Sequence, residues 1–453
     1  FSGLSTMVDA AVHHQITGVG LRTLEVVGIL VIVVALVRTA QLPFHLWFAD
    51  VVQAPAAVAA LVCTTAGISG AFLVARELPL LQAATHVLSA LGLVGAASAV
   101  VLAAIALFTR DIYRAGGLIA AALLGVSLAA FGAGGFSAGL FALAAAAITS
   151  ALYFVAAGNL VRGYRTRVIS EMGGAWSRMR TSSLALGAWA AAAGGLSLGG
   201  YYALSAVLDN HFVNGGHLSG FARGLLMVLL IAAGVAVAVS CWTIVFRVVR
   251  GEPARRRGFQ PERLADARDA SRVIAVALVV ALVVLVLFAL PGLGRVSAGK
   301  TGTIAFTWQQ LLVLGRRPQA GLSLAALGIS MVMLLLGTGV ALLLRPVLQR
   351  RSVAEREPAP AVAVAAVHRA ERVYRGAGTP VLLAARFVAR FDERVGDALV
   401  DTVGEGIGVV GEAAQSVRRW PARTYTAGAA AAVVLLVVLS LLAASGHLGG
   451  VRL

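Results

Sequence analysis

The stretch "RTAQLPFHLWFADVVQAP" (38–55) brings together three charged or titratable groups, Arg38, His45 and Asp50, around a proline, Pro43. An imidazole or a carboxylate can take up and release protons, whereas a guanidinium stays charged at physiological pH and can pair or repel but hardly relay. The runs on either side are apolar enough to cross a bilayer. Proline in such a run removes a backbone hydrogen bond. A helix broken inside a membrane leaves backbone groups and half-helix dipoles where ions are handled. One reading is therefore a broken span with Arg38 just before the break. The other has Arg38 snorkelling to the headgroups while Pro43 opens an ordinary loop. His45, Trp47 and Asp50 would fix the segment after the break, with gating as the alternative. Glu25, inside the preceding apolar run, joins Arg38, His45 and Asp50 as a proton-path candidate, and Arg22 is spaced to pair with it. His86 reads as interfacial, and Asp111 with Arg114 as a headgroup-level pair.

Those groups need a scaffold, and composition defines its class. The chain has 453 residues, 59% hydrophobic and 13% charged, with a mean hydropathy of +0.89. A soluble domain could not cover such a chain with polar surface, so an all-α polytopic membrane protein is expected. The net charge of +17 would suit a nucleic-acid partner. The arginines, however, lie mostly in loops beside apolar runs, which is the positive-inside pattern. Cys63 and Cys241 fall inside apolar runs and form no disulfide framework, and the eight scattered histidines have no metal-ligand spacing. No metal, cofactor or nucleic acid is expected.

Ten spans of about 20 apolar residues can be drawn, near 22–41, 55–75, 84–108, 115–133, 137–161, 183–208, 222–248, 272–292, 323–345 and 425–446. The fourth is the weakest, being rich in Ala and Gly. Arginines in 162–180 and 247–272 place those loops in the cytoplasm, together with 109–114 and 346–424. Residues 1–21 form an outer loop, 22–161 a first group of helices with a break near 38–45, and 162–292 a second group with the following span. Residues 293–350 form an outer loop and a span, 351–424 a cytoplasmic-side segment, and 425–453 a terminal anchor. Within 381–420, Leu383, Phe387, Phe391, Val395, Leu399, Val403 and Ile407 recur every four residues between Pro380 and Pro421. This predicts an amphipathic helix of about 60 Å. It would lie on the headgroups or run as a strut along neighbouring membrane subunits.

The run "RTAQLPFHLWFADVVQAPAAVAALVCTTAGISGAFLVAR" (38–76) resembles the signature of the antiporter-like membrane subunits of respiratory complex I. Gln41, Pro43, His45, Trp47, Asp50, Pro55, Val58, Ala60, Leu61 and Arg76 fall in register with it. Further blocks keep their order: "FTRDIYRAGGLIAAALLGVSLAAFG" (108–132), "GLFALAAAAITSALYFVAAGNLV" (139–161), "EMGGAW" (171–176), a worn "SLGGYYALSAVL" (197–208) and "IVFRVVRG" (244–251). The resemblance covers about 25–275 and returns at 372–446, which is similar to the lateral helix and anchor of subunit L, the most distal of these subunits. It implies an antiporter-like fold of about ten helices, six further helices before residue 22, and a second broken helix near 197–208. The expected partners are the lipid bilayer and other membrane subunits of a complex-I-like assembly in a prokaryotic inner membrane.

The family is thought to move protons along buried lysines, histidines and a glutamate. Here Arg38 stands for a lysine and Cys63 for a histidine. Tyr113 stands for the next lysine, Ala142 and Ala146 for two histidines, Ser150 for a lysine, and Leu204 for the lysine of the second break. The resemblance thus implies a degenerate subunit of an NADH-quinone oxidoreductase, without a redox site, whose proton path is impaired and whose lateral helix makes it a scaffold. Two alternatives stay open. One is an active proton or cation translocator with a rerouted path. The other is a membrane partner in a cation antiporter or inorganic-carbon uptake complex.

Overall fold

In the computed structural model, residues 19–52, 54–196, 203, 204, 207, 208, 220–251, 269–289 and 324–354 are described. The expected lateral helix (381–420), the last span (425–446) and most of the second break (197–208) lie outside them. The described chain folds as α1 Val19–Arg38, α2 Leu46–Val51, α3 Ala56–Arg76, α4 Leu78–Ala83, α5 Thr85–Phe108, α6 Ile112–Gly132 and α7 Phe136–Tyr164. Then come α8 Ala175–Arg178, α9 Arg180–Ala191, a π-helical turn Ala192–Leu196, α10 Gly220–Arg250, α11 Asp269–Ala289 and α12 Leu324–Ala354. Five of these (α3, α5, α6, most of α7, and α10) are long and apolar enough to cross a membrane.

Helix α6 is the hub. It packs against α5, α7, α3, α2 and α10, and apart from Arg114 every residue along it is buried. This is the span that its Ala and Gly content marks as weakest in the sequence. Its weakness has a physical cause: α6 faces protein on all sides and carries small residues where backbones must meet. A Cβ on Gly95 would lie 2.7 Å from the Gly125 carbonyl, and one on Gly92 would lie 3.2 Å from the Gly132 Cα. Glycine at both levels lets α5 and α6 touch backbone to backbone. The start of α6 is capped by Asp111, whose Oδ1 accepts from the Tyr113 and Arg114 amides at 2.8 and 2.9 Å. Asp111 therefore acts as a helix cap, a correction to the expected side-chain pair with Arg114.

The remaining helices dress this centre. α10 packs on α5 and on α12, α9 and α11 flank α7, and α1 lies along α3. Val26, Leu30, Val33, Leu61 and Leu343 are exposed, as suits helices that meet lipid or other membrane chains. Two loops expected on one side of the membrane do meet. The Ile112 amide donates to Arg167 O and the Ile169 amide to Arg110 O, both at 2.9 Å. This pairing fixes an arginine-rich end, shared by the starts of α6 and α9 and the end of α7.

Candidate functional site

Two features occupy the expected route, a helix break after α1 and an aromatic cluster beside α6.

Helix α1 ends at Arg38, short of the expected 41, and the last i→i−4 bond runs from the Thr39 amide to Ala35 O at 2.8 Å. Ala40 adopts a left-handed backbone (φ 54°) and the Leu42–Pro43 peptide is cis. A break in a membrane is tolerated only if its freed backbone groups find partners, and side chains supply them. Trp47 Nε1 donates to Val37 O at 2.9 Å. Buried Gln41 donates through Nε2 to Thr39 O at 2.8 Å and across to Ala121 O of α6 at 3.0 Å. The Leu42 amide donates to Ser98 Oγ of α5 at 3.2 Å. Space for the break comes from Gly125, where a Cβ would meet Gln41 Oε1 at 2.6 Å. Gln41 was marked only as a position in register with the resembled signature, and Ser98 was not singled out. Their only other signal is a lone polar group in an apolar run.

The depth of Arg38 follows from packing. Gly28 sits against Leu81, Ala84 and Val87, at the end opposite the arginine-rich one. Arg38 lies ten residues, about 15 Å, further along α1. Its Nη1 donates to Ser69 Oγ at 2.9 Å, and Ser69 is seven residues, about 10 Å, from the same end of α3. Against a hydrocarbon core about 30 Å thick, both measures put Arg38 near mid-depth. The contact is close: a Cβ on Gly70 would lie 2.7 Å from Arg38 Cβ and 2.9 Å from Ala35 O. The guanidinium is exposed on the flank of the described chain.

Of the other proton-path candidates, Glu25 lies well away from it. Glu25 is half-buried, thirteen residues up α1, about 20 Å away. Among the described residues it forms no ion pair with Arg22. His45 is half-buried in the segment that leads from the break to the arginine-rich end. Asp50 falls within α2, but its side chain lies outside the described residues.

Beyond the break, the substituted positions line an apolar interior. Cys63 on α3 and Leu204 are buried, as are Ala142 and Ala146, which share one face of α7 with Ser150. Ser150 donates back to Ala146 O at 2.6 Å. One turn further the same face meets a chain of rings. Tyr113 packs edge to face on Phe154 (centroids 6.0 Å apart), Phe154 on Tyr153 (5.4 Å), and Tyr153 against Trp189 of α9 (4.4 Å). Tyr153 Oη donates to Ile112 O at 2.5 Å, and the Arg167 guanidinium covers the Tyr113 ring at 4.8 Å. Gly116 has to be glycine, because a Cβ there would run into the Tyr153 ring. The sequence marked Tyr113 as a substitution, and Tyr153 is the lone titratable group of the predicted span 137–161. The contacts of Tyr113 with Phe154 and of Tyr153 with Trp189 are long-range and leave no spacing signal.

A family profile described as "NADH:quinone oxidoreductase/Mrp antiporter, TM" matches residues 2–240, more than half of the chain. The chain belongs to this family. It is 30% identical over 201 residues to NADH-quinone oxidoreductase subunit L of Campylobacter jejuni, a match covering 44% of this chain and 33% of that protein. It is also 30% identical over 220 residues to subunit L of Pseudomonas aeruginosa, covering 48% and 35%. It is 33% identical over 150 residues to chloroplastic NAD(P)H-quinone oxidoreductase subunit 5 of Nandina domestica, covering 33% and 20%. The chain thus spans about a third or less of the length of these relatives. Its fold is similar to a chain in the Mrp complex of Dietzia sp. DQ12-45-1b. That match has a TM-score of 0.59 and 22% identity, and covers 86% of this chain and 41% of that one; at this identity it speaks for the fold alone. The antiporter-like fold implied by residues 38–76 is therefore the fold of this multi-pass membrane protein.

Proposed function

We propose that this member of the family is a membrane-arm subunit of a complex-I-like NADH-quinone oxidoreductase in a prokaryotic inner membrane. Its own proton path is impaired and its role is to hold neighbouring subunits together. The observation that carries this reading is the interior beside α6. There a ring cluster and buried Ala, Ser, Cys and Leu stand where the resembled signature has ionisable groups. A relay needs groups that bind and release protons near neutral pH. Phenols, with an ordinary pKa near 10, and alanines do not supply them. Electron transfer would belong to other chains, and helix 381–420, on the cytoplasmic side, would be the strut.

A second reading, an active proton or cation translocator, is favoured by one observation: Arg38 sits near mid-depth at a helix break, where charge is costly and usually functional. A membrane partner in a cation antiporter or inorganic-carbon uptake complex is a separate alternative, a different assembly built on the same fold. Purification of the chain from native membranes in mild detergent, with mass spectrometry of what accompanies it, is the test. Co-recovery of dehydrogenase-like and other antiporter-like subunits is the expected result. A lone soluble partner, or none, would overturn the assignment.

A further inference from the structure

We propose that the arginine-rich end of this chain carries a binding site for an anionic phospholipid headgroup, built on Trp176, Arg178 and Arg180. The inference does not depend on which machine the chain serves.

The fold concentrates charge here. Residues 109–114 and 162–180 hold seven arginines and two carboxylates. The backbone pairing of 110–112 with 167–169 draws the two segments together. Tyr164 Oη closes the second onto the end of α7 by donating to Gly173 O at 2.5 Å. Left-handed Gly174 (φ 66°) then turns the chain into α8. Both carboxylates are engaged locally: Asp111 caps α6, and Glu171 Oε2 accepts from Thr166 Oγ1 at 2.6 Å. Arg110, Arg162, Arg165, Arg178 and Arg180 are all exposed. A solvent-facing surface usually intersperses charges of both signs. Like charges packed this way repel one another and favour an anion.

The apolar neighbours identify the anion as a lipid. Arg180 lies over the Trp176 ring at 5.3 Å, and Trp176 is 46% exposed. One turn further into α9, on the side of Arg180, Leu184 is 55% exposed. The order indole, guanidinium, leucine runs from the end of the spans toward their middle. It matches an interfacial aromatic, a phosphate-binding cation and an acyl-chain contact. Guanidinium groups are suited to grip a phosphodiester through paired donors.

The test uses the full chain purified from membranes and exchanged into neutral detergent, with retained lipid counted by native mass spectrometry. Phosphatidylglycerol and phosphatidylcholine are offered as competitors. Phosphatidylglycerol is expected to be preferred, and Arg178→Gln with Arg180→Gln to weaken that preference by about fivefold per arginine. Trp176→Ala is expected to reduce retention of phosphatidylglycerol while leaving the charge in place. The lysine pair, Arg178→Lys with Arg180→Lys, is expected to keep most of the preference. If the glutamine pair keeps the wild-type preference, charge at this end does not hold the lipid and the proposal falls. The proposal also falls if the wild type shows no preference or if millimolar inorganic phosphate displaces the lipid. Release of an acidic soluble protein by the glutamine pair, with lipid retention unchanged, would overturn it as well.

Discussion

At the scale of single residues the decisive question is what a charged group does at mid-depth. Arg38 is bonded to Ser69 and sits where the resembled signature has lysine. Lysine can shed its proton when desolvated, whereas arginine cannot, so Arg38 can act only as a fixed charge. If the chain is a scaffold, Arg38→Ala should leave proton transport per assembled complex unchanged. Transport measured in vesicles and normalised to the amount of intact complex checks this. Loss of transport with the complex intact would put Arg38 on the ion route and reject the scaffold reading. The same scale explains why "RTAQLPFHLWFAD" retains its other polar residues. Gln41 and Trp47 serve the backbone of the break, so they persist for structural reasons whether or not protons move.

At the scale of elements, small residues decide which helices touch. α1 and α3 cross at Arg38 and Gly70 with no room for a side chain. Gly70→Val should therefore destabilise the protein by about 1–3 kcal/mol, the usual cost of overpacking. Gly187 in α9 has nothing within 4 Å of an added Cβ. Gly187→Ala should stabilise by up to about 1 kcal/mol through helix propensity alone. Unfolding of both variants in detergent checks the pair; equal effects would mean the α1–α3 contact is not as close as described. Legibility divides along the same line. Spans that face lipid announce themselves by hydropathy, and the break announces itself by Pro43 after a polar pair. α6 reads faintly because a helix enclosed by protein needs Ala and Gly more than Leu. The role of Asp111 was legible only as a charge near Arg114, since a cap and an ion pair use the same residue types. The ring cluster joins residues from α6, α7 and α9, and its 36-residue reach from Tyr153 to Trp189 leaves no local periodicity.

At the scale of the whole molecule, the chain divides near residue 355 into a first part, 1–355, and a second, 356–453. The first contains the break, the ring cluster and the arginine-rich end. The second contains the predicted amphipathic helix 381–420, whose seven apolar positions at four-residue steps make one stripe. A helix of about 60 Å is twice what crossing a bilayer of about 30 Å requires. Such a stripe must be covered by headgroups or by other membrane helices. The two covers predict different results when the chain is cut after Glu355. If the stripe lies on other subunits, the truncated chain should still enter the membrane, but assembly with its neighbours should fall sharply in native gels of solubilised membranes. If it lies on lipid, assembly should be unaffected. A stripe variant separates loss of the helix from loss of its terminal anchor. Phe387→Ser with Phe391→Ser keeps the full chain length and removes only the apolar contact. Assembly lost in both variants assigns the stripe to protein partners, and assembly lost only on truncation assigns the effect to the anchor.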